Sequence, residues 1–175
     1  MTLAQYLHDH GVTAQAQTSA DSGAIRIAIQ QPPGWLAYDA FQLPNTYVVL
    51  TDRQAIDQNF APNAVVMVHK LTGEFDSRQA ILRGLVDTQR YKNFKQARAS
   101  LADFSGYPSA VIEGSFDDNV DPARRLHVLN RYVLAASGDQ KYVILVSVTT
   151  TEAQSGQLAG DLKTLTEGIK ISFNP

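Results

Sequence analysis

Residues 109–149 read SAVIEGSFDDNVDPARRLHVLNRYVLAASGDQKYVILVSVT, and this stretch decides the fold. Three apolar-rich runs, 109–116, 125–135 and 142–149, are separated by short polar connectors rich in Asp, Asn, Gly and Pro. A fourth candidate strand, 97–104, precedes them with no helix between. Parallel neighbours need crossovers of about a dozen residues or more, so these four strands must run as an antiparallel meander.

Working outward, 64–71 and 47–51 read as further strands. Ile25, Ile27 and Ile29 alternate with Arg26, Ala28 and Gln30, the pattern of a strand buried on one face. Pro32-Pro33-Gly34 forces a turn before a strand at 35–38. Segment 52–63 reads as a loop ending in Ala61-Pro62-Asn63.

Three helices complete the pattern. Thr2 and Gln5 have capping-box spacing, Leu3, Tyr6 and Leu7 form a stripe, and Gly11 supplies the stop. That helix is too short to stand alone and must lean on the body. The second spans 76–91, with Asp76 and Gln79 at its start and Ile81, Leu82, Leu85 and Val86 on one face. The third is expected to start near Thr151, with Gln154 three residues on and Leu158, Leu162, Leu165 and Ile169 in one stripe. Gly156 and Gly160 in it predict a close approach of helix to sheet.

The whole chain sets the bounds. At 175 residues with 44% hydrophobic and 18% charged side chains, it has the composition of one ordinary globular domain, 1–175. A net charge of −2 with no long run of one sign argues against nucleic-acid binding. Without cysteine there is no disulfide, thiolate metal site or cysteine nucleophile. No apolar stretch approaches the ~20 residues that span a bilayer. The first residues lack signal-peptide character, so an export signal is expected to be absent or removed.

Catalytic and cofactor motifs are missing from the sequence, and no cofactor is expected. His8, His10, His69 and His127 lack second ligands at metal spacing and read as structural or solvated. Asp117, Asn119 and Asp121 mimic the opening of a calcium loop. Pro122 and Val128 then occupy the positions needing Gly and Glu, so a polar hairpin loop is expected. Glu113 and Asp117 share a strand face and are the candidate carboxylate pair, with nothing nearby to split their pKa values. Arg125, His127 and Arg131 also project to one face, with Leu129 between. Two guanidiniums there can hold an anion by forked hydrogen bonds, or cover apolar surface and pair with neighbouring strands. Trp35 reads as a core plug, while Tyr38 and Phe41 stay open as groove residues.

Several stretches resemble a known family. Thr2-Leu-Ala-Gln-Tyr-Leu-His-Asp-His-Gly-Val12 resembles the first helix of the mycobacterial LpqN/LpqT lipoproteins, and so does the strand, proline turn and tryptophan from Ile27 to Trp35. Lys70-Leu-Thr-Gly-Glu-Phe-Asp76 and Ala102-Asp-Phe-Ser-Gly-Tyr-Pro-Ser-Ala-Val-Ile-Glu-Gly-Ser-Phe116 are similar as well, the latter especially to the proline-rich secreted antigen branch. The likeness runs from residue 2 to about 172. It implies a PsbP-like α+β fold, an antiparallel β-sheet flanked by α-helices in an α/β/α sandwich. It also implies export to the cell envelope, commonly with lipid attached at an upstream cysteine. The sequence departs from that pattern in having no such cysteine, signal or proline-rich tail, as expected of an excised domain or an unlipidated secreted member. The family brings no catalytic residues to carry over.

The leading expectation is therefore a non-enzymatic envelope binding domain for a lipid or glycolipid, held in an apolar cleft between sheet and helices. Tyr38, Phe41, Phe60 and Tyr91 are the expected apolar contacts, and Arg125 or Arg131 meets a polar head. The alternative is a protein-interaction module docking on a membrane transport protein or a host protein. A hydrolase using Glu113, Asp117 or His127 ranks third.

Overall fold

A computed structural model describes residues 1–20, 23–38 and 43–174. In chain order the elements are α1 (Leu3–Asp9), β1 (Thr13–Gln17), β2 (Ile25–Ala28), β3 (Trp35–Ala37), β4 (Val48–Asp52) and β5 (Asn63–Thr72). There follow α2 (Ser77–Gln89), β6 (Lys95–Ser100), β7 (Ser109–Asp117), β8 (Arg125–Ser137), β9 (Gln140–Thr151), α3 (Ala159–Glu167) and β10 (Lys170–Phe173).

The four-strand meander forms as expected. The sheet order is β3-β4-β5-β9-β8-β7-β6, and every pairing is antiparallel. β5 carries a second neighbour on its outer edge, because β4 pairs with its first half (Thr51↔Asn63) and β1 with its second (Ala14↔Leu71).

Alternation along these strands sends side chains to two faces, and each face has its own core. Ala64, Val66, Val68, Leu129, Val133, Ile144, Val146 and Val148 pack with Trp35 and with Leu158, Leu162, Leu165 and Ile169 around α3. Leu71, Ala110, Tyr132, Leu134 and Val143 pack on the opposite face with Leu3, Tyr6 and Leu7 of α1 and Ala80 and Ile81 of α2. The result is the α/β/α sandwich. Full burial of a side chain such as Ile144, 0% exposed, contributes about 1.5–3 kcal/mol.

Local chemistry explains the helices. Thr2 and Gln5 close a true capping box on α1, and Leu3 N–H donates to Asp87 Oδ1 at 3.0 Å, tying the short helix to α2. Asp76 caps α2 through Gln79 N–H. Gly84 lets α2 approach the sheet, since a Cβ there would lie 2.7 Å from the Tyr132 ring.

The structure departs from the expectations in five places. The third helix starts at Ala159, not Thr151. Thr151 and Gln154 do exchange the two capping hydrogen bonds, but the chain then runs as turns before α3. Exposed Gly156, in the turns that precede α3, disfavours an earlier start. The close-approach reading of Gly156 and Gly160 is also corrected, because a Cβ on either would meet nothing within 4 Å. The 97–104 strand is shifted to Lys95–Ser100, with a register irregularity between Gln96 and Arg98. The loop over 52–63 holds a 3-10 turn, Arg53–Ala55, and a tight turn bridging Asp57 and Phe60. Finally, β1 and β10 were not anticipated, and β2 pairs with β10 in a separate ribbon and not with the main sheet.

Candidate functional site

The short helix α1 crosses one corner of the sheet and leaves an apolar pocket of ≈ 390 Å³ beneath it. Leu3, Ala4, Leu7 and His8 of α1 form its roof, and Val12 and Ala14 close one side. Met67 and His69 of β5, Tyr132 of β8 and Val143 and Leu145 of β9 form the floor, while Asp87 of α2 stands at the opposite wall. Register explains the floor. Met67, Leu145 and Tyr132 lie in one row across three strands, and His69 and Val143 lie in the next.

Its two half-buried ionisable walls are both pushed toward their neutral forms. Burial lowers the His69 pKa. Burial likewise raises that of Asp87, against the opposing pull of the Leu3 N–H hydrogen bond and of Arg90. A cavity of this size is within the ~300–1,000 Å³ of small-molecule sites, and its walls suit an uncharged, apolar occupant.

None of the described aromatic and arginine candidates lines this pocket. Tyr91 is on the same face, just past the C-terminal end of α2. Its hydroxyl accepts from the buried Asn130 amide at 3.3 Å, and its ring packs on Phe116 at 4.8 Å. It borders a second depression that also carries Arg90 and Lys92. Tyr38 is half-buried beneath Arg53. Phe60 lies under the Arg124 guanidinium. Phe41 lies outside the described residues.

Arg125, His127 and Arg131 do share a face, as their spacing requires, but it is the face of α3. Leu129 between them belongs to the α3 core, whereas Tyr132 belongs to the core beneath α1 and α2. Neither arginine can therefore meet the head of a molecule seated in the apolar pocket. Arg125 is committed to Asp117 Oδ1 (2.8 Å), Ser115 Oγ (2.9 Å) and Asn93 O (3.2 Å). Arg131 donates to Ser109 Oγ at 3.1 Å and stacks on Phe104.

The candidate carboxylates are pinned. His127 Nε2 lies 2.8 Å from Glu113 Oε2, and Arg98 Nε donates to Glu113 Oε1 at 2.7 Å. Asp117 accepts from Asn93 and Arg125. So a histidine and a carboxylate do meet, which spacing alone had not revealed. The His127 hydrogen bond holds Glu113 below its usual range, and those of Asn93 and Arg125 do the same for Asp117. Neither carboxylate is raised, so the pair is not split into an acid and a base as a paired-carboxylate mechanism requires. The 118–124 segment is a hairpin loop closed by the buried Asp118–Arg124 ion pair, as its polar reading predicts. Among the described residues no group of three or more His, Asp or Glu could hold a metal.

Spacing missed the cleft residues for a physical reason. α1 covers them only through contacts distant in sequence, and β1 is a short, polar strand. One signal was present. β5 is apolar on both faces, with Val65, Met67 and Leu71 alternating with Ala64, Val66 and Val68, which marks a strand covered on both sides.

Comparison with known proteins bears on this arrangement. Residues 1–172 match the family described as "Probable lipoprotein LpqN". The chain is 34% identical over 154 residues to the proline-rich 28 kDa antigen of Mycobacterium tuberculosis, covering 88% of this chain and 48% of that protein. It thus spans about half the antigen's length. It is 30% identical to the LpqT lipoprotein of the same organism over 174 residues, 97% of this chain and 73% of that one. The crystal structure of LpqN, described as involved in cell envelope biogenesis of Mycobacterium tuberculosis, superposes with a TM-score of 0.84 at 19% identity, covering 100% of this chain and 98% of the other. That fold match reproduces the antiparallel sheet with its flanking helices. These relatives are described as lipoproteins and an antigen, in keeping with an exported, envelope-associated protein. The chain belongs to the LpqN lipoprotein family.

Proposed function

We propose that this protein is a non-enzymatic, envelope-associated binding domain, 1–175, whose ligand is an envelope lipid or glycolipid with an apolar chain held between α1, α2 and the sheet. One observation carries the reading: the pocket lining is mostly apolar, and burial pushes its two half-buried ionisable members, His69 and Asp87, toward their neutral forms. A carboxyl group at the pocket wall disfavours an anionic head there. His8 and the Asp87 carboxyl offer hydrogen bonds to hydroxyls of the kind a sugar carries.

Thermal shift in the presence of envelope extract, and of a neutral single-chain glycolipid, tests this. The wild-type protein gains melting temperature with both. Ala14→Trp, at an exposed position in the pocket wall, removes the gain without lowering the starting temperature. Unchanged melting of the wild type with either additive would contradict the proposal.

A second reading, docking on a membrane transport protein or a host protein, is favoured by the outer edge of β3. Among the described residues no strand pairs with that edge, and Leu36 on it is 53% exposed. Open edges accept an added strand, and here the part beyond Trp35 is available, since Trp35 N–H itself donates to Pro32 O and its carbonyl accepts from Gln31 Nε2. Pull-down from membrane and host lysates with wild type and Leu36→Lys separates the two. Equal recovery by both forms would count against strand addition.

A further inference from the structure

We propose that Arg131 forms the floor of a second binding site, on the α3 face, for a small carboxylate ligand. Arg131 is opposite Val111 on the β7–β8 ladder, at a corner of the sheet beside the last turn of α3. It is only 9% exposed. Nη1 donates to Ser109 Oγ, the buried Nε has no partner, and the Phe104 ring is 4.4 Å from Cζ. Among the described residues no carboxylate comes within ion-pair distance of it.

Arg124 is the internal control. Its side chain is equally enclosed, 10% exposed, and it too stacks on a phenylalanine, Phe60, at 5.2 Å. Both phenylalanines sit on two-residue turns with positive φ, Gln58-Asn59 and Ser105-Gly106. Arg124, however, places two nitrogens on the Asp118 carboxylate and a third on Gln58 O. The same guanidinium-on-phenylalanine arrangement thus occurs twice, once with its carboxylate built in and once without. Buried charges are ordinarily paired, so the missing partner is the anomaly.

What lies over Arg131 is a pocket of ≈ 430 Å³ bordered by Arg98, Ser100, Phe104 and Glu167. Arg98 is matched by Glu113 and Asp103 by Arg78, which leaves Arg131 facing the exposed Glu167, with which it makes no ion pair. Burial pulls the Arg131 pKa below its ordinary value, Glu167 raises it and Arg98 lowers it further. A singly charged planar carboxylate matches the free edge of a guanidinium by forked hydrogen bonds. A phosphate dianion would meet Glu167 with only one uncompensated cation to offset it. Phe104 and Val111 give the apolar wall for the rest of the ligand.

The test titrates the protein with sodium benzoate, sodium phosphate and sodium chloride at matched ionic strength, reading melting temperature and the Arg Nε–H resonances. Benzoate is expected to raise the melting temperature above chloride and to move the Arg131 Nε–H signal. Arg131→Met loses the melting shift. Glu167→Gln, which removes the nearest competing carboxylate, enlarges it. Ala14→Trp leaves it unchanged, so failure of the apolar cleft and failure of this site are separable. Should Arg131→Met not fold, the wild-type resonance and the Glu167→Gln response decide. Benzoate and chloride acting alike, a response surviving in Arg131→Met, or a response to phosphate alone would each overturn the proposal.

Discussion

The two faces of the sheet are made by the same strands yet are covered differently. Under α3 the side chains from alternate positions of β5, β8 and β9 meet helix and tryptophan in a filled layer, closed by the Trp35 Nε1–Asp161 bond of 2.9 Å. Under α1 the layer stops short. A seven-residue helix cannot cover the corner formed by β1, β5 and β9, and half-buried Met67 and Leu145 face the gap. The gap lies beneath the short α1, whereas the α3 face opens beside Phe104, over Arg131.

Neighbouring residues on β9 offer the sharpest way to break that contrast. Ile144 points into the filled layer and Leu145 into the gap. Ile144→Ala should cost about 2–5 kcal/mol of stability by denaturant titration, since it leaves a hole in a packed core. Leu145→Ala should cost about 1 kcal/mol, because its surroundings are already open. Equal losses would mean that the two faces are packed alike.

Next in size is the cleft itself. Ala14→Trp should weaken binding of a neutral single-chain lipid at least about tenfold, roughly 1.4 kcal/mol, in a fluorescence displacement assay. On the other face, Glu113→Gln weakens the His127 and Arg98 hydrogen bonds and should cost about 1 kcal/mol at neutral pH. Because the native pKa of Glu113 is depressed, its contribution is present above its ordinary value of 4.5 and is lost as pH falls through the lowered one. Glu113→Gln should flatten that acid limb.

The smallest effects, and the most diagnostic, come from the cleft's own ionisable walls. Asp87 has a raised native pKa, so its contribution is full below 3.8 and disappears as pH rises through the raised value. Asp87→Asn keeps an acceptor for Leu3 N–H and should leave stability at pH 7 equal or slightly higher. His69 has the opposite sense. Its native pKa is lowered, so stability declines as pH drops below 6.5, and His69→Gln should remove that decline. Stability curves by denaturant titration from pH 3 to 8 check both.

Much of this architecture was legible in the sequence. The meander followed from connector length, the Thr2–Gln5 box from spacing, and the shared face of Arg125, His127 and Arg131 from period two. What escaped depends on contacts remote in sequence. β1, with Thr13, Ala14, Gln15, Ala16 and Gln17, has little strand propensity and is held by the β5 edge. β10 exists only through its pairing with β2. Periodicity says which residues share a face, never which helix covers it, so it cannot place Arg125 and Arg131 relative to the cleft. Thr151 and Gln154 show the reverse failure, a capping signal whose bonds form without a helix following directly.

Methyl-labelled protein titrated with a neutral single-chain glycolipid, read by methyl NMR, tests the division of labour between the faces most directly. The Leu7, Met67, Val143 and Leu145 methyls should shift, while Val111, Val133 and Ile144 stay fixed. Shifts confined to the α3 face, or none at saturating lipid, would contradict an apolar binding cleft beneath α1.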